Sequence, residues 1–216
     1  MGSRGSSTKY KGGYTAQVRE MQSNLSLSET QKAVLIGTIL GDGCLAENVW
    51  RKNFRLKVEQ GDIHKEYIFW MYGIFRNWTL SSPKYLKERK AWRFYTISHP
   101  EFTKFREIFY KNKRKIIPKN IRNLLNHPLS LAVWFMDDGA ARQDSRAYTL
   151  SVHCFSKKEL SFLERCLRDN FDLEFTIHWD GKGYRLYIPV SMAEKFEALT
   201  LPYIIPSMKY KFPLTP

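Results

Sequence analysis

The sequence has little of what stabilises small secreted domains or builds soft-metal centres. Only three cysteines occur in 216 residues, Cys44, Cys154 and Cys166, and they lack the close pairs that zinc ribbons and redox motifs need. They read as buried, reduced thiols. The five histidines, His64, His99, His127, His153 and His178, form no His-x-x-x-His or mixed Cys/His cluster, which argues against zinc. No apolar run approaches the roughly 18 residues that span a bilayer, and no basic-then-apolar leader precedes the first helical pattern, so a soluble, intracellular protein is expected. Acidic residues are also scarce. The 21 Asp plus Glu face 35 Lys plus Arg, leaving a net charge of +14 that points to a polyanionic partner, nucleic acid ahead of an anionic membrane.

What is present is 43% apolar content, ample for a core in one large domain or two half-size ones. The Gly-, Ser- and Lys-rich opening, 1–13, reads as part of a flexible basic arm covering 1–28. Two stretches then stand out, Leu35-Ile36-Gly37-Thr38-Ile39-Leu40-Gly41-Asp42-Gly43 and Leu131-Ala132-Val133-Trp134-Phe135-Met136-Asp137-Asp138-Gly139. Each is an apolar helical run that puts a carboxylate in its last turn, where the negative end of the helix dipole opposes it, and then stops on a glycine suited to a left-handed cap. Two such placements at matched positions call for a bound cation as the missing partner, set against DNA phosphate in a chain this basic.

The surrounding pattern repeats in outline. Ser28 with Gln31 forms a capping box that opens the first motif helix, expected to run to Gly43; the second is expected to start near Ser130, after Pro128. Phe54, Leu56 and Val58 alternate with Arg55, Lys57 and Glu59, as Leu150, Val152 and Cys154 alternate with Thr149, Ser151 and His153. Helices are expected at Ile63 to Trp78 and Lys157 to Phe171, strands at Trp92 to Ser98, Tyr184 to Ile188 and around Phe175, Ile177 and Trp179, and helices again at Pro100 to Lys111 and Ser191 to Leu199. The six Trp read as core and sheet packing. The layout predicts an α+β fold of two pseudo-symmetric αββαββα repeats, 29–126 and 127–216, forming a saddle of antiparallel sheets with helices behind.

From about Thr30 to Pro213 these residues resemble the LAGLIDADG homing endonucleases of the single-chain, two-motif type. The Phe-Met-Asp-Asp-Gly core and the segments Lys115-Ile116-Ile117-Pro118 and Tyr210-Lys211-Phe212-Pro213 are similar to those of yeast mitochondrial intron-encoded members. The resemblance implies that the motif helices pack together and that their acids, here Asp42 and Asp138, hold divalent metal over a DNA minor groove. Asp137 occupies a position that is small in the consensus and is the lesser ligand beside the Gly41 carbonyl. The resemblance further implies Lys115 and Lys211 as basic active-site residues, and Gln60 and His153 as polar residues near water. Val133 and Trp134 depart from the slender residues usual in such a helix.

The chemistry suits these residue types. Phosphodiester hydrolysis needs an activated water and neutralisation of charge on phosphate, which magnesium supplies when held by one or two carboxylates; manganese is expected to substitute, and calcium to bind without turnover. Helices packed at about 8–10 Å, with Gly37 and Gly41 at the contact, would bring the acids together. Arg55, Lys57, Arg93, Tyr95, His153, His178, Arg185 and Tyr187 are the expected DNA-facing residues of the sheets, spanning roughly 20 bp of double-stranded DNA in a long asymmetric site. Lys113 and Arg114 belong to a basic stretch suited to phosphate. A metal-dependent, site-specific double-strand endonuclease acting as a monomer is the expected function. An RNA maturase acting on intron RNA, or a non-cleaving DNA-binding regulator, are the alternatives.

Overall fold

A computed structural model describes residues 16, 18–48 and 53–212; the 1–13 opening and Pro213 lie outside the described residues. A helical stretch over 18–24 precedes the repeats, and the Gln22 side chain donates to the Ser98 carbonyl at 2.6 Å while the His99 ring meets the Gln22 carbonyl at 2.9 Å. This end of the expected arm is therefore folded onto the first repeat.

The first repeat contains helix α1 (Glu29–Leu40), strands β1 (Cys44–Glu47) and β2 (Phe54–Gly61), helix α2 (Lys65–Ile74), strands β3 (Lys84–Leu86) and β4 (Ala91–Tyr95), and helix α3 (Pro100–Phe109). A small hairpin, β5 (Tyr110–Lys111) and β6 (Arg114–Lys115), and the short helix α4 (Ile121–Leu124) lead to the second repeat. That repeat runs α5 (Pro128–Asp138), β7 (Gly139–Ala141), β8 (Tyr148–Ser151), α6 (Lys157–Phe171), β9 (Thr176–Trp179), β10 (Tyr184–Ile188) and α7 (Val190–Thr200). Each repeat makes one antiparallel four-stranded sheet, ordered β1-β2-β4-β3 and β7-β8-β10-β9, as the duplicated layout predicts.

Several boundaries move for local reasons. The Ser28–Gln31 capping box forms with both of its hydrogen bonds, 3.2 and 3.1 Å, yet α1 stops at Leu40 with Gly41 as its cap. Helix α5 starts earlier than Ser130, at Pro128, because the His127 ring accepts the Leu129 amide at 3.0 Å and proline suits the first helical position. The expected Ile63–Trp78 helix breaks into an α-helical centre flanked by 3₁₀ turns at Asp62–His64 and Arg76–Trp78. Helix α3 ends at Phe109 rather than Lys111, where the chain turns into β5.

The motif glycines are not left-handed. Gly41 has φ −92° and Gly139 φ −87°, and Gly181 is the glycine with positive φ among the described residues. They are required by contact instead. A Cβ on Gly37 would lie 2.4 Å from the Ser130 carbonyl and 2.7 Å from Val133 Cβ, and one on Gly139 would lie 2.0 Å from the Phe135 ring. Gly37 thus lets the backbones of α1 and α5 meet and accommodates Val133, while Trp134 is wholly buried in the core. Both helices are apolar nearly all round, as befits elements that carry the core of both repeats.

Candidate active site and nucleic-acid interface

Helix α5 passes directly into β7 and α1 reaches β1 after a three-residue turn, 41–43, and the Asp-Gly ends of the two helices lie together. The carboxylate of Asp137 fills the space that Gly41 leaves: a Cβ on Gly41 would stand 2.5 Å from Asp137 Cβ and Oδ2. Asp137 Oδ2 accepts the Asp42 amide at 3.2 Å, and Gln60 Nε2 donates to Asp42 Oδ2 at 3.3 Å and to Asp137 Oδ1 at 3.2 Å. Gln60 gets there because it ends the core-facing row Leu56, Val58, Gln60 of β2 and is only 8% exposed.

Three acids in one place cannot all ionise at ordinary values. Burial, then the charge of Asp42, raises Asp138 to about 7, against the pull of Lys115 and Lys211. Burial raises Asp137 far above the carboxylate range, with Asp42 and Asp138 adding to it. Burial draws Lys211 below the usual lysine value, opposed by the same three acids.

Both predicted lysines arrive, in matched roles. Lys115 Nζ donates to the Gly41 carbonyl at 2.5 Å; Lys211 Nζ donates to the carbonyls of Met136 at 2.5 Å and Asp137 at 3.1 Å. Each ammonium therefore sits on the negative C-terminal end of a motif helix. The Gly41 carbonyl, an expected metal ligand, is occupied by Lys115. Among the described residues no group of three His, Cys, Asp or Glu side chains is arranged to hold a metal by itself. Two carboxylates that leave other positions to water and phosphate suit a hard ion such as magnesium.

His153 does not join the site. It meets Asp180 at 3.1 Å in the β9–β10 turn, where Asp180 also pairs with Arg185. By register, Gln60 lies opposite Trp92, and in the second sheet Val152 donates its amide to the Tyr184 carbonyl at 3.0 Å, so buried Val152 stands where Gln60 stands in the first repeat. The two halves are thus chemically unequal.

On the first sheet, Arg55, Lys57, Arg93 and Tyr95 share the face away from the helices. Arg55 stacks over Tyr95 at 4.0 Å, and Glu59, an acid in a basic row, pairs with Lys57 at 3.1 Å, Arg89 at 3.0 Å and Arg93 at 3.6 Å. On the second sheet, Arg185 lies opposite His178, and the rings of His178 and Tyr187 meet at 5.4 Å. Trp179, expected in packing, is 63% exposed on the outer strand β9. Lys113 is exposed at the tip of the β5–β6 hairpin, and the half-exposed Arg114 side chain is paired with Glu159 at 2.9 Å. Among the cysteines only Cys166 is buried; Cys154 is exposed and Cys44 half-buried, all of them free thiols. No helix of the described residues is long and apolar enough to cross a membrane.

Comparison with known proteins agrees with this geometry. The chain is 35% identical over 200 residues to probable intron-encoded endonuclease 1 of Wickerhamomyces canadensis, covering 86% of this chain and 85% of that protein. It is 28% identical to cytochrome b mRNA maturase bI2 of Saccharomyces cerevisiae, covering 89% of this chain and half of that one. The solved homing endonuclease I-WcaI bound to its DNA recognition sequence superimposes with a TM-score of 0.81 at 30% identity, over 96% of this chain and 94% of that chain. The structure of I-DmoI with DNA and Mn shares the fold, with a TM-score of 0.53 at 17% identity over 79% of this chain and 95% of that one. The LAGLIDADG DNA endonuclease family model matches residues 32–196, and the chain belongs to that family.

Proposed function

We infer that this chain is a site-specific double-strand DNA endonuclease of the homing type, acting as a monomer with divalent metal. The observation that carries the reading is the meeting of the Asp42 end of α1 with the Asp137–Asp138 end of α5, each end backed by a lysine. Asp42 and Asp138 would hold the metal, which supplies an activated water and neutralises phosphate charge. Asp137 has both oxygens engaged by protein donors and serves to fix Asp42. Gln60 orients the Asp42 carboxylate, and Lys115 and Lys211 present fixed positive charge to the phosphates undergoing attack. The polar sheet faces, with Arg55, Lys57, Arg93 and Tyr95 on one and His178, Arg185 and Tyr187 on the other, read the duplex, while Lys113 grips phosphate.

The direct test is cleavage of a target selected from randomised DNA. Asp42→Asn and Asp138→Asn should each abolish double-strand cutting with magnesium or manganese while gel-shift affinity stays close to wild type. Calcium should support binding without turnover. Retained cutting by both variants, or rapid cutting in chelator, would overturn the reading. A maturase acting on intron RNA is the second reading, favoured by the match to the cytochrome b mRNA maturase. A non-cleaving regulator has less support, because both acids are in place.

A further inference from the structure

Each active-site lysine is preceded by a residue that crosses to the other repeat. Arg114 lies just before Lys115 on β6, after a tight turn in which Asn112 and Lys113 both have positive φ. Strand alternation sends the two side chains opposite ways: Lys115 to the Gly41 carbonyl, Arg114 to the second repeat. There Arg114 closes a two-pronged grip on Glu159, at 2.9 and 3.2 Å, and also donates to the Cys154 carbonyl at 3.0 Å. Glu159 is itself fixed by the capping box that opens α6, accepting the Ser156 amide at 2.7 Å.

The other lysine repeats the arrangement with different chemistry. Tyr210 lies just before Lys211, and its ring stacks on His64 with centroids 6.3 Å apart and planes 3° from parallel. His64 is the N-cap residue of α2, the first-repeat counterpart of α6. In both halves, then, the neighbour of the lysine docks on the N-terminus of the partner repeat's second helix. The Arg114–Glu159 fork is directional and charge-assisted, whereas the His64–Tyr210 contact is a wide ring stack with Tyr210 62% exposed.

We propose that Arg114, through Glu159, and Tyr210, through His64, are positioning residues that set the ammonium groups of Lys115 and Lys211 by bracing each against the opposite repeat. The bracing makes the two cleavage events separately adjustable, with the Arg114 side held more firmly. This rests on the reading of Lys115 and Lys211 as active-site residues.

The experiment uses the full chain with magnesium and a target duplex labelled differently on its two strands, so that each strand's cleavage rate is read alone. Lys115→Met identifies the strand that Lys115 serves. Arg114→Met should slow that same strand about tenfold or more, leaving the other within about twofold, since small misplacement of a catalytic group is costly in rate. Glu159→Gln should show the same bias, and Arg114→Lys, which keeps one bond to Glu159, should recover most of the rate. Tyr210→Ala should slow the opposite strand, by a smaller factor. Equal slowing of both strands, or weaker DNA binding with unchanged strand ratio, would mean that Arg114 is merely structural or a phosphate contact and would overturn the inference alone. If Lys115→Met changes neither strand, the reading of the lysines falls and takes the inference with it.

Discussion

Asp137 of the second repeat accepts the backbone amide of Asp42 of the first at 3.2 Å, in space that Gly41 leaves open. A carboxylate from one half thereby holds the loop that carries Asp42 of the other. Its energetic cost is that Asp137 and Asp138 are crowded by Asp42 and by burial, and that crowding can be measured.

In metal-free protein, Asp138 favours its protonated form in the folded state, with its value raised from 3.8 to about 7. A folded value above the unfolded one contributes stability that is complete below about pH 4 and is lost as pH rises through about 7. Thermal unfolding in chelator should therefore show the wild type weakening from about pH 4 to 7 relative to Asp138→Asn, which should be the more stable by about 1–3 kcal/mol at the upper end. Burial lowers His64 and acts in the opposite sense over part of that range, so the comparison is between wild type and variant at each pH. Parallel curves for the two proteins would contradict the assignment.

Gly37→Ala should destabilise by about 1–3 kcal/mol, because the added methyl meets backbone and a β-branched side chain across the α1–α5 contact. Gly73→Ala, inside α2 with nothing within 4 Å of the new atom, should stabilise by about 0.5–1 kcal/mol. Denaturant midpoints check both, and the opposite signs separate crowding from helix propensity.

Gln60→Ala removes the amide that touches Asp42 and Asp137, and Val152 offers no equivalent in the second repeat. Strand-resolved cleavage should fall by about tenfold on one strand and much less on the other. An equal effect on both would show that the bridging amide serves the pair as a unit.

Lys113→Ala tests the hairpin tip. Loss of one phosphate contact should reduce the slope of log binding constant against log salt by about one, uniformly over target variants. An unchanged slope would remove Lys113 from the interface.

The duplicated order of elements was legible because its longest members carry their own signals, such as the Ser28–Gln31 box of α1 and the Leu56–Val58 alternation of β2. The strands β1, β3 and β7, of three or four residues, are too short to show a period and went unseen. Asp42 and Asp138 were visible as the acids that end the two motifs, and Lys115 and Lys211, which the resemblance singled out, reach the ends of the same helices. Gln60 could also be found, since it is the polar member of an otherwise apolar row. His153 could not be judged, because its partner Asp180 lies in a distant turn. Arg114 looked like one more base in a basic run, for nothing local to it reveals Glu159 across the repeat boundary. Trp179 joins that group, as exposure depends on which strand closes the sheet.

The fit of Asp137 into the gap at Gly41 also makes the junction itself unsymmetrical. Two copies of the first half would set Gly41 against Gly41, leaving a void and an Asp42 amide with no acceptor from across the junction. Two copies of the second would drive a pair of enclosed carboxyl groups into each other. The asymmetry between the halves is therefore built into their junction as well as into the side chains spread over the sheets.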